Sequence, residues 1–216
     1  MTTAAAMKKH LIFDFGAVVF RWQPVDLLQR VLPRHAPDAG SAKALAERIF
    51  QGYSGPWGRF DLGTIEVPAL VDALVAQADL PPDDVRALIA AVPHALEPLA
   101  DTQSLIERLR AAGHRLFYLS NMPAPFADHL EATHGFLRYF EAGVFSGRVQ
   151  LAKPDPAIFQ LALQRFGIEA ADAVFLDDHL ANVDAARALG LGAVLFEHAT
   201  QAEAKLRELG VALDAA

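Results

Sequence analysis

The chain has 216 residues, 53% hydrophobic and 21% charged, enough apolar material for one large core or a core with a smaller insert. Its net charge of -7, with no run of Lys and Arg, argues against binding along a nucleic-acid backbone. The absence of cysteine excludes disulfides, thiolate metal sites and a cysteine nucleophile.

Met1 to His10 carry positive residues with no long apolar segment behind them. Neither a signal peptide nor a membrane anchor is expected, and a cytoplasmic protein is the default. The first strand is Leu11-Ile12-Phe13, a continuous apolar run that ends on Asp14, with a turn at Gly16. A parallel strand buried on both faces reads this way and delivers its terminal carboxylate to the lip of the sheet.

Residues 21 to 98 carry helical patterns at Val25 to Leu32, Ala42 to Phe50, Ala69 to Ala78 and Asp83 to Ala91, and no strand. The Gly/Pro/aromatic stretch Gly52 to Gly58 divides them. This connection is far longer than a crossover between neighbouring strands needs. Parallel sheets bind ligands beyond the carboxyl ends of their strands, so an insert leaving that edge lies over the site.

Beyond residue 100 the pattern alternates. Asp101 or Thr102 is expected to cap a helix through Leu105, Ile106 and Leu109, closed by Gly113. The strand Leu116 to Leu119 follows and ends at Ser120-Asn121, with a weaker strand at Gly143 to Ser146. Pro154 and Pro156 open a helix with the stripe Ile158, Leu161, Ala162, Phe166, closed by Gly167. Val174 to Leu176 is the next strand and ends on Asp177-Asp178. A helix from Asn182 to Leu189 and a last strand from Ala193 to Phe196 complete the series. The alanine-rich ends are expected to fray. The fold class is α/β, a Rossmann-like parallel sheet with helices on both faces.

Asp14, Ser120-Asn121, Lys153 and Asp177-Asp178 all fall at strand ends or helix starts. A carboxylate attacks phosphorus or an activated carbon. Ser and Asn donate to phosphoryl or carboxylate oxygens, and a lysine offsets charge on the transferred group. Three neighbouring Asp side chains form a hard oxygen site suited to Mg²⁺. Without a cation or a proton among them they repel.

These four segments in this order resemble the haloacid dehalogenase-like superfamily over nearly the whole chain, from Phe13 to about Phe196. The resemblance implies a core of residues 8–20 and 99–216 and a helical cap of residues 21–98 between the first two core strands. It implies Asp14 as nucleophile, Ser120, the amide of Asn121 and Lys153 around the phosphoryl group, and Mg²⁺ on Asp14, the carbonyl of Gly16 and Asp178. Asp177 serves through water or from behind. The implied activity is a phosphatase acting through an aspartyl-phosphate on a small phosphorylated metabolite.

Gly16 departs from the pattern, since most phosphatases of the superfamily carry there a second Asp as general acid and base. Such catalysis contributes about 10²- to 10⁴-fold, a loss that a weakly basic leaving group tolerates. The Asp-x-Gly start and Phe60-Asp61-Leu62-Gly63-Thr64-Ile65 resemble a subgroup that includes a bacterial α-D-glucose-1-phosphate phosphatase, which suggests a sugar phosphate. Two rivals are a metal-free 2-haloacid dehalogenase and a sugar-phosphate-binding regulator without turnover. Asp177-Asp178 opposes the first, because an anionic pocket without metal repels a carboxylate substrate.

Asp14-Phe15-Gly16 stands too near the start of the chain for the kinase metal-binding triplet, which needs upstream motifs. The eight histidines show no metal-ligand spacing, and His129 and His134 read as surface residues. His179 reads as solvent-facing beside Asp178. Trp22, Trp57 and Arg59 are candidate specificity residues, with Arg59 positioned to meet a phosphate or a hydroxyl. The expected partner is a small phosphorylated substrate, with no nucleic acid and no membrane.

Overall fold

The computed structural model describes residues 9–213, so the alanine-rich ends and the outermost limits expected for the core lie outside the described residues. Strand β1 (His10–Phe13) leads into five helices, α1 (Pro24–Val31), α2 (Ala39–Phe50), α3 (Gly55–Asp61), α4 (Val67–Ala78) and α5 (Pro82–Ala95). Then come α6 (Ala100–Ala111), β2 (Arg115–Ser120), α7 (Ala124–Thr133), β3 (Ala142–Phe145) and the short α8 (Ser146–Val149). The chain closes with α9 (Pro156–Phe166), β4 (Ala173–Asp177), α10 (Leu180–Ala188), β5 (Gly192–Leu195) and α11 (Ala199–Glu208). The strands form one sheet in the order β3-β2-β1-β4-β5, and every pairing is parallel.

Side chains alternate across the sheet as the pleat demands. Leu11, Phe13, Leu116, Val174 and Leu176 join a core that continues into the inserted helices. Ile12, Phe117, Leu119 and Phe175 face the other way and pack on Ile158, Phe159 and Phe166 of α9. Both faces are covered, which is why β1 reads as an unbroken apolar run. The insert leaves and returns side by side, with Arg21 N–H donating to Glu97 O at 2.7 Å and Leu99 N–H to Val19 O at 2.9 Å.

Three local expectations are corrected. The stretch Gly52 to Gly58, expected as a divider, contributes the start of α3, with Pro56 in its first turn where no amide partner is lost. Helix α6 begins at Ala100 after Leu99 and has no side-chain cap; Asp101 lies inside its first turn, beside the positive end of the helix dipole. The bond from Leu99 to Val19 sets that start in place of a cap. On α9, Phe159 takes the buried place expected of Leu161, meeting Phe175 edge to face at 5.4 Å.

The turn after α3 meets the start of α8 at backbone contact distance. A Cβ on Gly63 would stand 2.3 Å from the carbonyl oxygen of Gly147, and one on Gly147 would stand 2.6 Å from the amide nitrogen of Ala124. Gly63 also has φ +73°, a left-handed conformation that favours glycine. Gly63→Ala is therefore expected to destabilise the fold by about 3 kcal/mol, combining backbone strain with forced separation of two chain segments. Gly52→Ala, at φ +60° with nothing within 4 Å, is expected to cost only about 1 kcal/mol. Urea unfolding midpoints of the two variants check the contrast.

Candidate active site

Register brings the acids together. Phe13 pairs with both Tyr118 and Leu176, so one residue further Asp14 stands level with Asp177 and beside the end of β2. Asp14 N–H donates to Leu176 O at 2.9 Å, carrying the ladder one step past the strand. The chain then turns on Phe15, whose carbonyl accepts from the amides of Val19 and Phe20 at 2.9 and 2.8 Å. The Phe15 ring beneath this turn packs against Tyr118, Phe20 and Phe145 at 4.6, 5.2 and 5.3 Å. A packed aromatic base thus holds the loop that presents Asp14 and Gly16.

Lys153 arrives from the loop before α9, and its buried ammonium lies 2.9 Å from Asp14 and 2.6 Å from Asp177. Burial works against the charge on Lys153, but the two carboxylates outweigh it and raise its pKa. Asn121, placed just past β2, clamps the lysine backbone. Its Nδ2 donates to Lys153 O at 2.9 Å and its Oδ1 accepts from Lys153 N–H at 2.8 Å. The side-chain amide of Asn121 is therefore a positioning group, and only its backbone amide is left for the expected phosphoryl contact.

Asp177 has no exposure, and both its oxygens are taken by Lys153, the Asn182 side chain and the His179 amide. It stands behind Asp14 and Lys153, away from the opening. Asp178 faces the opening, and burial raises its pKa while the neighbouring His179 opposes the rise. Ligand atoms of Asp14, Asp177 and Asp178 lie within 4.8 Å of one another. Three carboxylates against one ammonium leave an excess of negative charge that a divalent cation would neutralise. With oxygen donors throughout, the residues fit Mg²⁺.

Asp14, Gly16, Ser120, Asn121, Lys153 and Asp178 line one cavity of about 450 Å³. Much of the rest of its wall comes from the insert and from the segment that enters α7, and that part is largely apolar: Trp22, Trp57, Val92, Leu96, Met122 and Phe126. Trp22 Nε1 donates to the Tyr53 hydroxyl at 2.6 Å, and the Tyr53 ring meets His179 edge-on at 5.7 Å. Trp22 and Trp57, the two candidate specificity residues of the insert, both line the cavity. Arg59 does not line it: Trp57 and Asp61 face inward one helical turn apart, so the residue midway between them points to solvent. Of the two histidines expected at the surface, His134 is half-buried against Phe20 at 5.0 Å, and His129 stacks edge-on with His94 at 4.5 Å. Asp61 was missed as a site residue. A lone acid on a short helix reads as solvated, yet it is 8% exposed and lines the cavity.

A family model for haloacid dehalogenase-like hydrolases matches residues 9–190. The chain belongs to the haloacid dehalogenase-like hydrolase family. As a member of that family it is a hydrolase. Among its relatives, the sesquiterpene phosphatase astK of Aspergillus oryzae is 31% identical over 85% of this chain and 87% of its own length. Drimenol cyclase drtB of Aspergillus calidoustus is 26% identical over 94% of this chain, which spans only 37% of that protein. A haloacid dehalogenase family enzyme of Bacteroides thetaiotaomicron, solved with magnesium and inorganic phosphate, shares the fold with a TM-score of 0.68. It is 21% identical, and the match covers 88% of this chain and 95% of that one. No helix among the described residues is long and apolar enough to cross a membrane.

Burial is the largest influence on Asp14 and lifts its pKa from 3.8 to about 6 against the pull of Lys153. The folded hydrolase therefore holds this proton more tightly than the unfolded chain does. The stability this provides is full below the ordinary carboxylate pKa and is lost as pH rises to about 6. Asp14→Asn, which cannot ionise, is expected to gain on the wild type by on the order of 2 kcal/mol between pH 4 and pH 8. Denaturant unfolding of both proteins in EDTA checks this, and a difference flat across that range contradicts it.

Proposed function

We propose that this hydrolase is a Mg²⁺-dependent phosphomonoesterase acting through an aspartyl-phosphate. The observation that carries the reading is the buried Lys153 ammonium between Asp14 and Asp177, with Asp178 open to the cavity. Lys153 keeps Asp14 oriented and offsets charge on the phosphoryl group as the Asp14 oxygen attacks phosphorus. Ser120 and the Asn121 amide hold the remaining phosphoryl oxygens. Asp14, the Gly16 carbonyl and Asp178 would hold the metal, with Asp177 behind them. Bound there, Mg²⁺ supplies positive charge to a dianionic ester that the acidic cluster alone would repel. The cluster of three neighbouring carboxylates with one ammonium among them, and a structural neighbour solved with magnesium, support the metal. That excess of acid also disfavours a metal-free haloacid dehalogenase.

The inserted helices act as the cap, and their wall indicates the substrate. A sugar presents several hydroxyls, each costly to bury without a partner. On the insert side the cavity offers Tyr53, whose hydroxyl already accepts from Trp22, and Asp61. The aromatic and aliphatic lining suits a phosphomonoester with an apolar body better than the sugar phosphate suggested by the subgroup resemblance. The name of the sesquiterpene phosphatase relative supports the same direction.

Phosphate release from isoprenyl, alkyl and sugar phosphates, with and without Mg²⁺, tests this. Apolar esters are expected to show the higher kcat/KM, and EDTA to abolish turnover. Asp14→Asn is expected to lose ~10⁴-fold or more in kcat, and full activity in that variant overturns the mechanism. Asp178→Asn is expected to raise the Mg²⁺ concentration for half-maximal rate by about 10- to 100-fold. Magnesium is expected to raise the unfolding temperature of the wild type and to do so far less in Asp178→Asn.

A further inference from the structure

An apolar alcohol is a poor leaving group and needs a proton, yet the position two residues after Asp14 is a glycine. The gap is chemical, not steric: a Cβ built on Gly16 would meet nothing within 4 Å. We propose that Asp61, carried by α3 of the insert, is the general acid and base of this enzyme, working across the cavity from Asp14. This assignment rests on the phosphomonoesterase reading.

Asp61 and Asp14 line the same cavity, one from the insert and one from the sheet edge. Asp61 is more than nine-tenths buried, and among the described residues its carboxyl has no hydrogen bond or ion pair. Its oxygens are not sealed in the core but reach the cavity, and no neighbouring side chain or backbone group gives a packing reason for an acid here. Its backbone, by contrast, is anchored. Ser146, fully buried, donates its hydroxyl to Asp61 O at 2.5 Å and accepts from Met122 N–H at 2.8 Å. Two residues on, Gly63 meets Gly147 at backbone contact. This end of the insert is stapled to the core, which holds Asp61 in one place relative to Asp14.

Burial alone raises the Asp61 pKa well above the ordinary carboxylate value, which favours the protonated form that a donor needs. The other titratable groups on the cavity are less suited. Lys153 is held by two carboxylates, Tyr53 is made a weaker acid by burial, and His179 is an exposed ring 3.7 Å from Asp178.

In the first step an Asp14 oxygen bonds to phosphorus as the phosphorus–oxygen bond to the leaving group breaks. The departing oxygen takes the Asp61 proton and leaves as the alcohol. In the second step water attacks the phosphorus of the aspartyl-phosphate and gives a proton to the Asp61 carboxylate. Phosphate departs, Asp14 is free, and Asp61 is protonated again.

Wild type and Asp61→Asn, each with Mg²⁺, are compared on n-alkyl phosphates and on p-nitrophenyl phosphate, whose leaving group needs no proton. Asp61→Asn is expected to lose ~10²- to 10³-fold in kcat on alkyl esters. On p-nitrophenyl phosphate it is expected to release a burst of about one p-nitrophenolate per enzyme before a slowed steady state, because hydrolysis of the intermediate still needs the base. Gly16→Asp added to Asp61→Asn is expected to restore alkyl phosphate turnover. Equal loss on both ester types without a burst overturns the assignment, as does the same burst in His179→Gln with none in Asp61→Asn. If Asp61→Asn does not fold, the wild type decides. Rates nearly independent of leaving-group pKa support a proton donor, and a steep decline toward alkyl esters overturns it. Absence of Asp14-dependent phosphate release from every ester removes the phosphomonoesterase reading itself.

Discussion

A single buried ammonium organises this protein. Lys153 lies within hydrogen-bonding distance of Asp14 and Asp177, carboxylates delivered by two neighbouring strands, and Asn121 from a third strand end grips its backbone. Without that charge two carboxylates would face each other in a nearly dry interior, and one would have to take a proton or swing away. With it, the ends of β1, β2 and β4 meet at one point, with Asp14, Asp177 and Asn121 all held on the lysine. Asp178 then adds a further negative charge where the cavity opens, so the arrangement is complete as a fold and incomplete as an electrostatic system. Under the proposed chemistry, that is the site of a cation and a phosphoryl group together.

The two halves of the cavity do different work. The sheet edge is polar and held by short bonds in the interior. The insert side is aromatic, with Trp57 packed on Phe50 at 4.7 Å and on Phe60 at 6.2 Å, and it excludes water more than it orients groups. Ser146 and the paired glycines Gly63 and Gly147 join the halves at one corner. A second junction, where residues 19–21 run beside 97–99, returns the chain to the sheet. With both corners tied, the insert is held against the sheet edge by backbone contacts at either end of the cavity.

Much of the sheet was legible in the sequence. Buried parallel strands leave unbroken apolar runs, and the carboxylates that end them stand out against those runs, so Asp14 and Asp177-Asp178 were found without knowing which strands are neighbours. Ser120 and Lys153 gained meaning only as parts of an ordered set, since either alone reads as a strand-end turn or a surface charge. Arg59 was misjudged because a charged residue near aromatics looks like a ligand contact until the helical phase shows which way it points. Asp61, one turn beyond Trp57, went unread for the converse reason. Nothing local distinguishes a solvated acid from one turned toward a cavity whose other walls come from distant parts of the chain, such as Asp14, Met122 and Lys153.

By itself the sequence determined the α/β class, the long helical interruption after the first strand, and the chemical kinds of group at the strand ends. These follow from local periodicity and from side-chain chemistry, which need no partner to be read. The tertiary structure alone decided how those groups share their charges. It put Asp177 behind the site and Asp178 on it, turned the Asn121 side chain toward the Lys153 backbone, and set the Asp61 carboxyl on a largely apolar cavity wall. Each of these depends on which distant segments meet, because hydrogen bonds and desolvation act over a few ångströms of space and take no account of separation along the chain.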